Sequence, residues 1–169
     1  MDQPLVGFRV WRYAEPGRLR STGMEYYWEP QGVNVAVCMA GAGIGGWHPV
    51  RERRAEHEAP GERCQCGFYA YDSLATALHH ARTLLAYETV VAGAVLLWGE
   101  VMVGDVRDSR RQLARPGLRY RARNARVIAL RADELGRRVA TTNALQVVDE
   151  RYLESYARER GDQLRAKSA

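Results

Sequence analysis

No stretch of this sequence is both long and apolar enough to cross a bilayer. The longest apolar run, 90–98, ends at Gly99 and Glu100, whereas a membrane helix needs about 20 such residues. The opening Met-Asp-Gln-Pro lacks the basic and apolar regions of a secretory signal. A cytoplasmic, reducing location is therefore expected, with no membrane partner. Cysteine is scarce: the chain holds three, and in a reducing compartment so few thiols favour metal over disulfides. Lysine is nearly absent, since of 25 basic residues only Lys167 is not arginine. Catalytic patterns are missing too. There is no G-x-S-x-G, no Ser-His-Asp arrangement with local context, and no carboxylate pair at a catalytic spacing. Nothing in the sequence requires an enzyme.

What is present fits one domain of 169 residues. We expect a domain over 1–143, followed by a helix and frayed tail over 144–169. Alternation over 6–13 predicts a strand, Glu15-Pro16-Gly17 a turn, and 18–22 a return strand. Another strand is predicted over 33–38, ending at Cys38. A helix over 72–85 is capped by Asp72 or Ser73 and carries the apolar stripe Leu74, Ala77, Leu78, Ala81, Leu84 and Leu85. Residues 89–103 read as one bent strand or two, with Gly93 and Gly99 at bends or bulges. Residues 118–130 read as a strand, or as two broken near Asn124. A short helix is predicted over 132–138. The last helix is predicted over 145–160, with Val148, Tyr152 and Tyr156 along one side, and 161–169 should fray. The glycine-rich 41–46 has the register G-x-G-x-G-G and no helix after it, which excludes a dinucleotide cradle. It reads as a flexible loop presenting Trp47.

All three cysteines fall with one histidine inside 29 residues, as Cys38-x18-His57-x6-Cys64-x-Cys66. Three thiolates and an imidazole complete the tetrahedral shell of a structural zinc, which leaves no open position for a substrate. Gly67 lets the backbone turn close to an ion held by Cys64 and Cys66. His48 is the substitute ligand for His57. The pair His57-Glu58 faintly echoes the H-x-E of zinc deaminases. However, the glutamate is adjacent to the histidine and the cysteines are one residue apart, which misplaces the proton shuttle.

The net charge is +5, and nine arginines against one acid, Asp108, lie between Arg107 and Arg131. Arg119, Arg121 and Arg123 alternate with Leu118, Tyr120 and Ala122. On a strand these arginines share one face, about 6.6–7 Å apart, which is close to the spacing of phosphates along a nucleic acid. Arg107, Arg110, Arg111 and Arg115 stand in the loop before them, so comb and loop together suit a phosphate backbone. Self-repulsion among the three requires partners, with Glu100 the candidate. Trp47, Tyr69 and Tyr71 are the candidates for stacking on a base.

The segment His57-Glu-Ala-Pro60, Cys64-Gln-Cys-Gly-Phe-Tyr-Ala70, followed by a helix, a strand ending in Trp98-Gly99 and the stretch Tyr120-Arg-Ala-Arg-Asn-Ala125, resembles small actinobacterial proteins with an H-x-A-P…C-x-C-G-x-Y-A motif. The glycine-punctuated strand, basic loop and return strand of the second half are similar to PUA-like barrels, the group of SRA, ASCH and EVE domains. That resemblance implies a barrel that binds nucleic acid and reads a modified base in an aromatic pocket. The expectation is thus an α+β fold: a small, bent, antiparallel PUA-like barrel with a packed helix, a zinc clip and a C-terminal helix. Its partner would be DNA rather than RNA, read through a modified base such as 5-methylcytosine. The alternative is a zinc-stabilised protein-interaction module with no nucleic-acid ligand.

Overall fold

A computed structural model describes residues 4–23, 25–38, 57–62, 64, 66–84, 89–105 and 117–166. The glycine-rich loop, Trp47, His48, Arg107, Arg110, Arg111 and Arg115 lie outside the described residues.

The sheet is built around two long strands. Strand β1 (Leu5–Ala14) pairs antiparallel along β5 (Val90–Asp105), from Leu5 opposite Leu97 to Arg12 opposite Val90. Strand β5 pairs in turn with β6 (Leu118–Arg131). The short β4 (Phe68–Tyr71) lies against β6 and meets β1 through Phe8 and Tyr71. The pairing β1–β5–β6–β4 therefore runs round a ring. The ring is not a regular barrel, because β1 and β4 share a single residue pair. Three short strands hang from it: β2 (Arg18–Arg20) from β1, and β3 (Asn34–Val35) and β7 (Val147–Val148) from β6. The class is α+β as expected, with seven strands and three helices among the described residues. Most pairing is antiparallel, but β7 runs parallel to β6, which the sequence pattern did not announce.

Both glycines of β5 have structural reasons. Gly99 has φ +81° and sits where the register against β6 slips between Trp98 and Val101, as a bulge glycine does. Gly93 marks a close crossing: a Cβ there would stand 2.4 Å from the Ala129 carbonyl oxygen. Each long strand is continuous. The break considered near Asn124 does not occur, because that residue pairs with Val35 on one side and Trp98 on the other.

Inside the ring, Trp11, Phe68, Leu97, Ala122 and Val127 form one core with Trp28, whose ring meets Trp11 edge-on at 5.4 Å. Helix α2 (Glu134–Asn143) covers it with Val139 and Ala140. Outside, Phe8, Val10, Ala92, Ala94 and Ala129 pack under α1 (Leu74–Leu84) and α3 (Glu150–Ala166). The alanines let helix and sheet approach closely. Helix α1 starts where the sequence places it: the Ser73 hydroxyl accepts the Thr76 N–H at 3.1 Å, and Glu154 of α3 accepts the Leu74 N–H at 2.9 Å. These contacts use up donors that a helix start leaves unpaired.

The C-terminal third differs from expectation. Helix α2 begins after Asp133, whose carboxylate accepts the Gly136 N–H at 2.8 Å, and it runs five residues beyond 138. The segment before α3 is spent on β7. The buried stripe of α3 is Leu153, Ala157 and Gly161, at a spacing of four residues, while Tyr152 is 60% exposed. The helix does not fray at Gly161, which lies against Val6 of β1. The C-terminal helix packs on the outer face of the sheet through Leu153 and Ala157.

Candidate metal centre and the arginine face

Cys38 leaves the end of β3, held there by the Ala36 N–H, which donates to the Arg123 carbonyl of β6 at 2.7 Å. His57, Cys64 and Cys66 come from the loop that enters β4. That loop is shaped by two glycines. A Cβ on Gly61 would overlap the His57 ring at 2.4 Å, and Gly67 adopts φ +112°, a conformation that favours glycine. The Cys64 N–H donates to the Gly61 carbonyl at 3.1 Å, and the Gly61 N–H to Cys66 Sγ at 3.2 Å.

The four side chains predicted as ligands converge, with one donor atom from each lying within 4.8 Å of the others. Cys38 Sγ stands 3.6 Å from Cys64 Sγ, and His57 Nε2 stands 3.3 Å from Cys66 Sγ. Donors at tetrahedral corners around zinc, with bonds of about 2.0–2.3 Å, are about 3.3–3.8 Å apart. The residues present therefore fit a tetrahedral ion in size and in chemistry. The thiols are all half-buried and unbridged. Burial pushes the Cys64 thiol up, but hydrogen bonds from the Cys66 backbone, Cys38, Cys66 and His57 outweigh it and bring the group down to about 7. Cys66 is pushed up to about 11, by burial first and then, against the pull of its Gly61 hydrogen bond, by its Cys64 neighbour. Thiols packed this closely resist carrying charge together, and a cation among them removes that conflict.

The strand carrying the arginine comb borders this loop. Arg119, Arg121 and Arg123 share one face of β6, as the alternation predicts, and Ala122 is buried opposite. Their partners are new. The Arg121 guanidinium donates to the carbonyls of Gly61, Cys64 and Cys66 and to Met102 Sδ. Arg123 forms an ion pair with Glu58, the neighbour of His57. Arg119 lies 5.3 Å over the Tyr69 ring. The partner expected for the comb, Glu100, is exposed at the bulge, and the comb is engaged by the loop of His57, Cys64 and Cys66 and by an aromatic face instead. Sequence reasoning set Glu58 aside as a misplaced proton shuttle. Its adjacency to His57, which carries it to the arginine face, was the available signal.

Of the stacking candidates, Tyr69 is half-buried under Arg119, and burial raises its pKa against the pull of Arg121 and Arg119. Tyr71 is 7% exposed and packs under α1, 5.1 Å from the His80 ring. Its face is closed to a base.

A further arginine is buried. Arg9 on β1 points inward, 7% exposed and 4.5 Å over Trp28. It donates to the Tyr69 carbonyl at 2.8 Å and to the Ser21 hydroxyl at 3.1 Å. Among the described residues no carboxylate pairs with it, and burial pulls its pKa down to about 10.

No family model, no curated protein and no solved structure matches this chain. Among the described residues no helix is long and apolar enough to cross a membrane.

Proposed function

We propose that this chain is a zinc-clipped, non-catalytic binding module. The observation that carries the reading is the convergence of Cys38, His57, Cys64 and Cys66 within 4.8 Å. Three thiolates and one imidazole fill a tetrahedral shell, so the ion fastens β3 to the β4 loop and offers substrate no open site. A divalent ion with three thiolates and a neutral imidazole leaves one net negative charge, and Arg121 stands beside it as the counter-cation. The test is elemental analysis of the purified protein, with cobalt substitution to report ligands. One zinc per chain and a tetrahedral thiolate spectrum are expected. A metal-free protein of unchanged stability would sink the reading.

The ligand of the module is proposed to be nucleic acid, and DNA in particular. This is favoured by the stack of Arg119 on Tyr69, on a strand that follows the arginine-rich 107–115 in sequence. A cation over an aromatic ring combines phosphate attraction with a stacking surface. A titration against matched duplexes, unmodified and carrying 5-methylcytosine, at two salt concentrations, tests it. Affinity falling as salt rises supports backbone binding, and preference for the methylated duplex supports a modified-base reader. No binding to either duplex would leave the zinc-stabilised protein-interaction module.

A further inference from the structure

We propose that the metal loop is a latch on the nucleic-acid face, holding Arg121 and Arg123 away from phosphate while it is closed. The inference rests on the nucleic-acid reading above and adds its regulation. The three arginines occupy alternate positions of one strand and differ in what engages them. Arg119 touches the Tyr69 ring. Arg121 spends its donors on three carbonyls of the loop, two of them belonging to Cys64 and Cys66. Arg123 is held by Glu58, one residue from His57.

Residues 57–66 have no strand or helix of their own among the described residues. Ala59 and Pro60 are buried and anchor the start of this segment, and the rest of its position is set by the Cys and His cluster and by these two arginines. The same loop conformation that gathers the metal donors therefore keeps two of the three comb cations occupied. The Arg123–Glu58 pair is exposed, with side chains 39% and 69% accessible. Such pairs hold weakly in water and exchange readily for phosphate. The closed loop presents one cation of the comb, and the open loop presents all three.

The experiment measures duplex affinity by fluorescence anisotropy across a series of salt concentrations, using metal-loaded protein in every arm but the chelated one. Glu58→Gln releases Arg123 without touching a ligand. Glu62→Gln makes the same charge change on the same loop, at an exposed residue that forms no ion pair among the described residues. Each added phosphate contact steepens the slope of log affinity on log salt by about 0.9. The expected result is a slope steeper by about that amount in Glu58→Gln, unchanged in Glu62→Gln, and restored in the double variant Glu58→Gln/Arg123→Met. Chelation of the wild type, with its fold checked by circular dichroism, should steepen the slope further as Arg121 is released. Duplex binding with equal slopes in wild type and Glu58→Gln overturns the latch alone. Absence of duplex binding in every form overturns the nucleic-acid reading and the latch together.

Discussion

Gly161 of α3 lies against Val6 of β1, so closely that a Cβ on the glycine would stand 2.4 Å from Val6 Cγ2. Two effects compete in Gly161→Ala. Replacing a helical glycine gains about 1 kcal/mol of helix propensity. Overpacking costs about 1–3 kcal/mol, and Val6 is β-branched and slow to yield. The clash should prevail, lowering the melting temperature by about 2–4 °C. Gly104→Ala, where a Cβ meets nothing within 4 Å, is the control. A Gly161→Ala protein as stable as wild type would refute the close contact.

Arg9 makes a prediction about alkaline pH. Its folded-state pKa lies near 10, below the ordinary arginine value, so its charged form is held in the fold at a penalty of about 3 kcal/mol. The unfolded chain keeps this proton to higher pH than the folded one. Stability contributed by the group therefore rises as pH climbs through about 10. Arg9→Met loses two hydrogen bonds but also the buried charge, so at neutral pH it should stay within about 1 kcal/mol of wild type. The stability gap between the two proteins should then move in favour of wild type above pH 10. Chemical denaturation at a series of pH values checks this, and a gap independent of pH would refute it.

The metal reading predicts a specific pattern on chelation. Wild-type protein should lose several degrees of thermal stability when a chelator is added, because ion binding to the folded chain is folding free energy. Cys66→Ser should start at that lower stability, carry less than one zinc per chain, and not respond to the chelator. A response retained by Cys66→Ser would remove that residue from the shell.

Arg121→Met tests the counter-cation. Groups that orient metal ligands from outside the shell typically change affinity 10–100-fold, about 1.4–2.8 kcal/mol. A chelator competition should find zinc held that much more weakly, while the cobalt spectrum keeps its thiolate and tetrahedral character. Arg121→Lys retains the charge but not the fork that reaches three carbonyls, and should fall between the two. Equal affinity in all three proteins would reduce Arg121 to an ordinary surface residue.

Some of this was legible in the sequence and some was not. The convergence of Cys38, His57, Cys64 and Cys66 was, because chelation needs residue types that are otherwise rare here. The strand alternation around Trp11 and Ala122 and the start of α1 were legible too, because periodicity and capping act over a few residues. The direction of β7 was not, since a two-residue strand carries no period. The stripe of α3 was read in part: Tyr156 packs against the outer core but Tyr152 is exposed, and Ala157 and Gly161 were passed over, although small residues are what a closely packed helix buries. The comb was read correctly as one face of a strand. What covers that face depends on a loop about 60 residues earlier in the chain, as in the Arg121–Cys64 contact, and no local pattern reports a contact of that range.

Strand β6 is flanked along its length: β5 occupies one edge, while β4, β3 and β7 follow one another along the other. Every one of those partners except β7 is synthesised before β6 exists. The emerging polypeptide must therefore keep β3, β4 and most of β5 waiting without their main template until residue 131 has left the ribosome, and the parallel β7 and the helix over the outer face come later still. A nascent chain halted short of β6 can pair β1 with β2, β4 and β5 but cannot close the ring, and such intermediates are where chaperones would be expected to engage this protein.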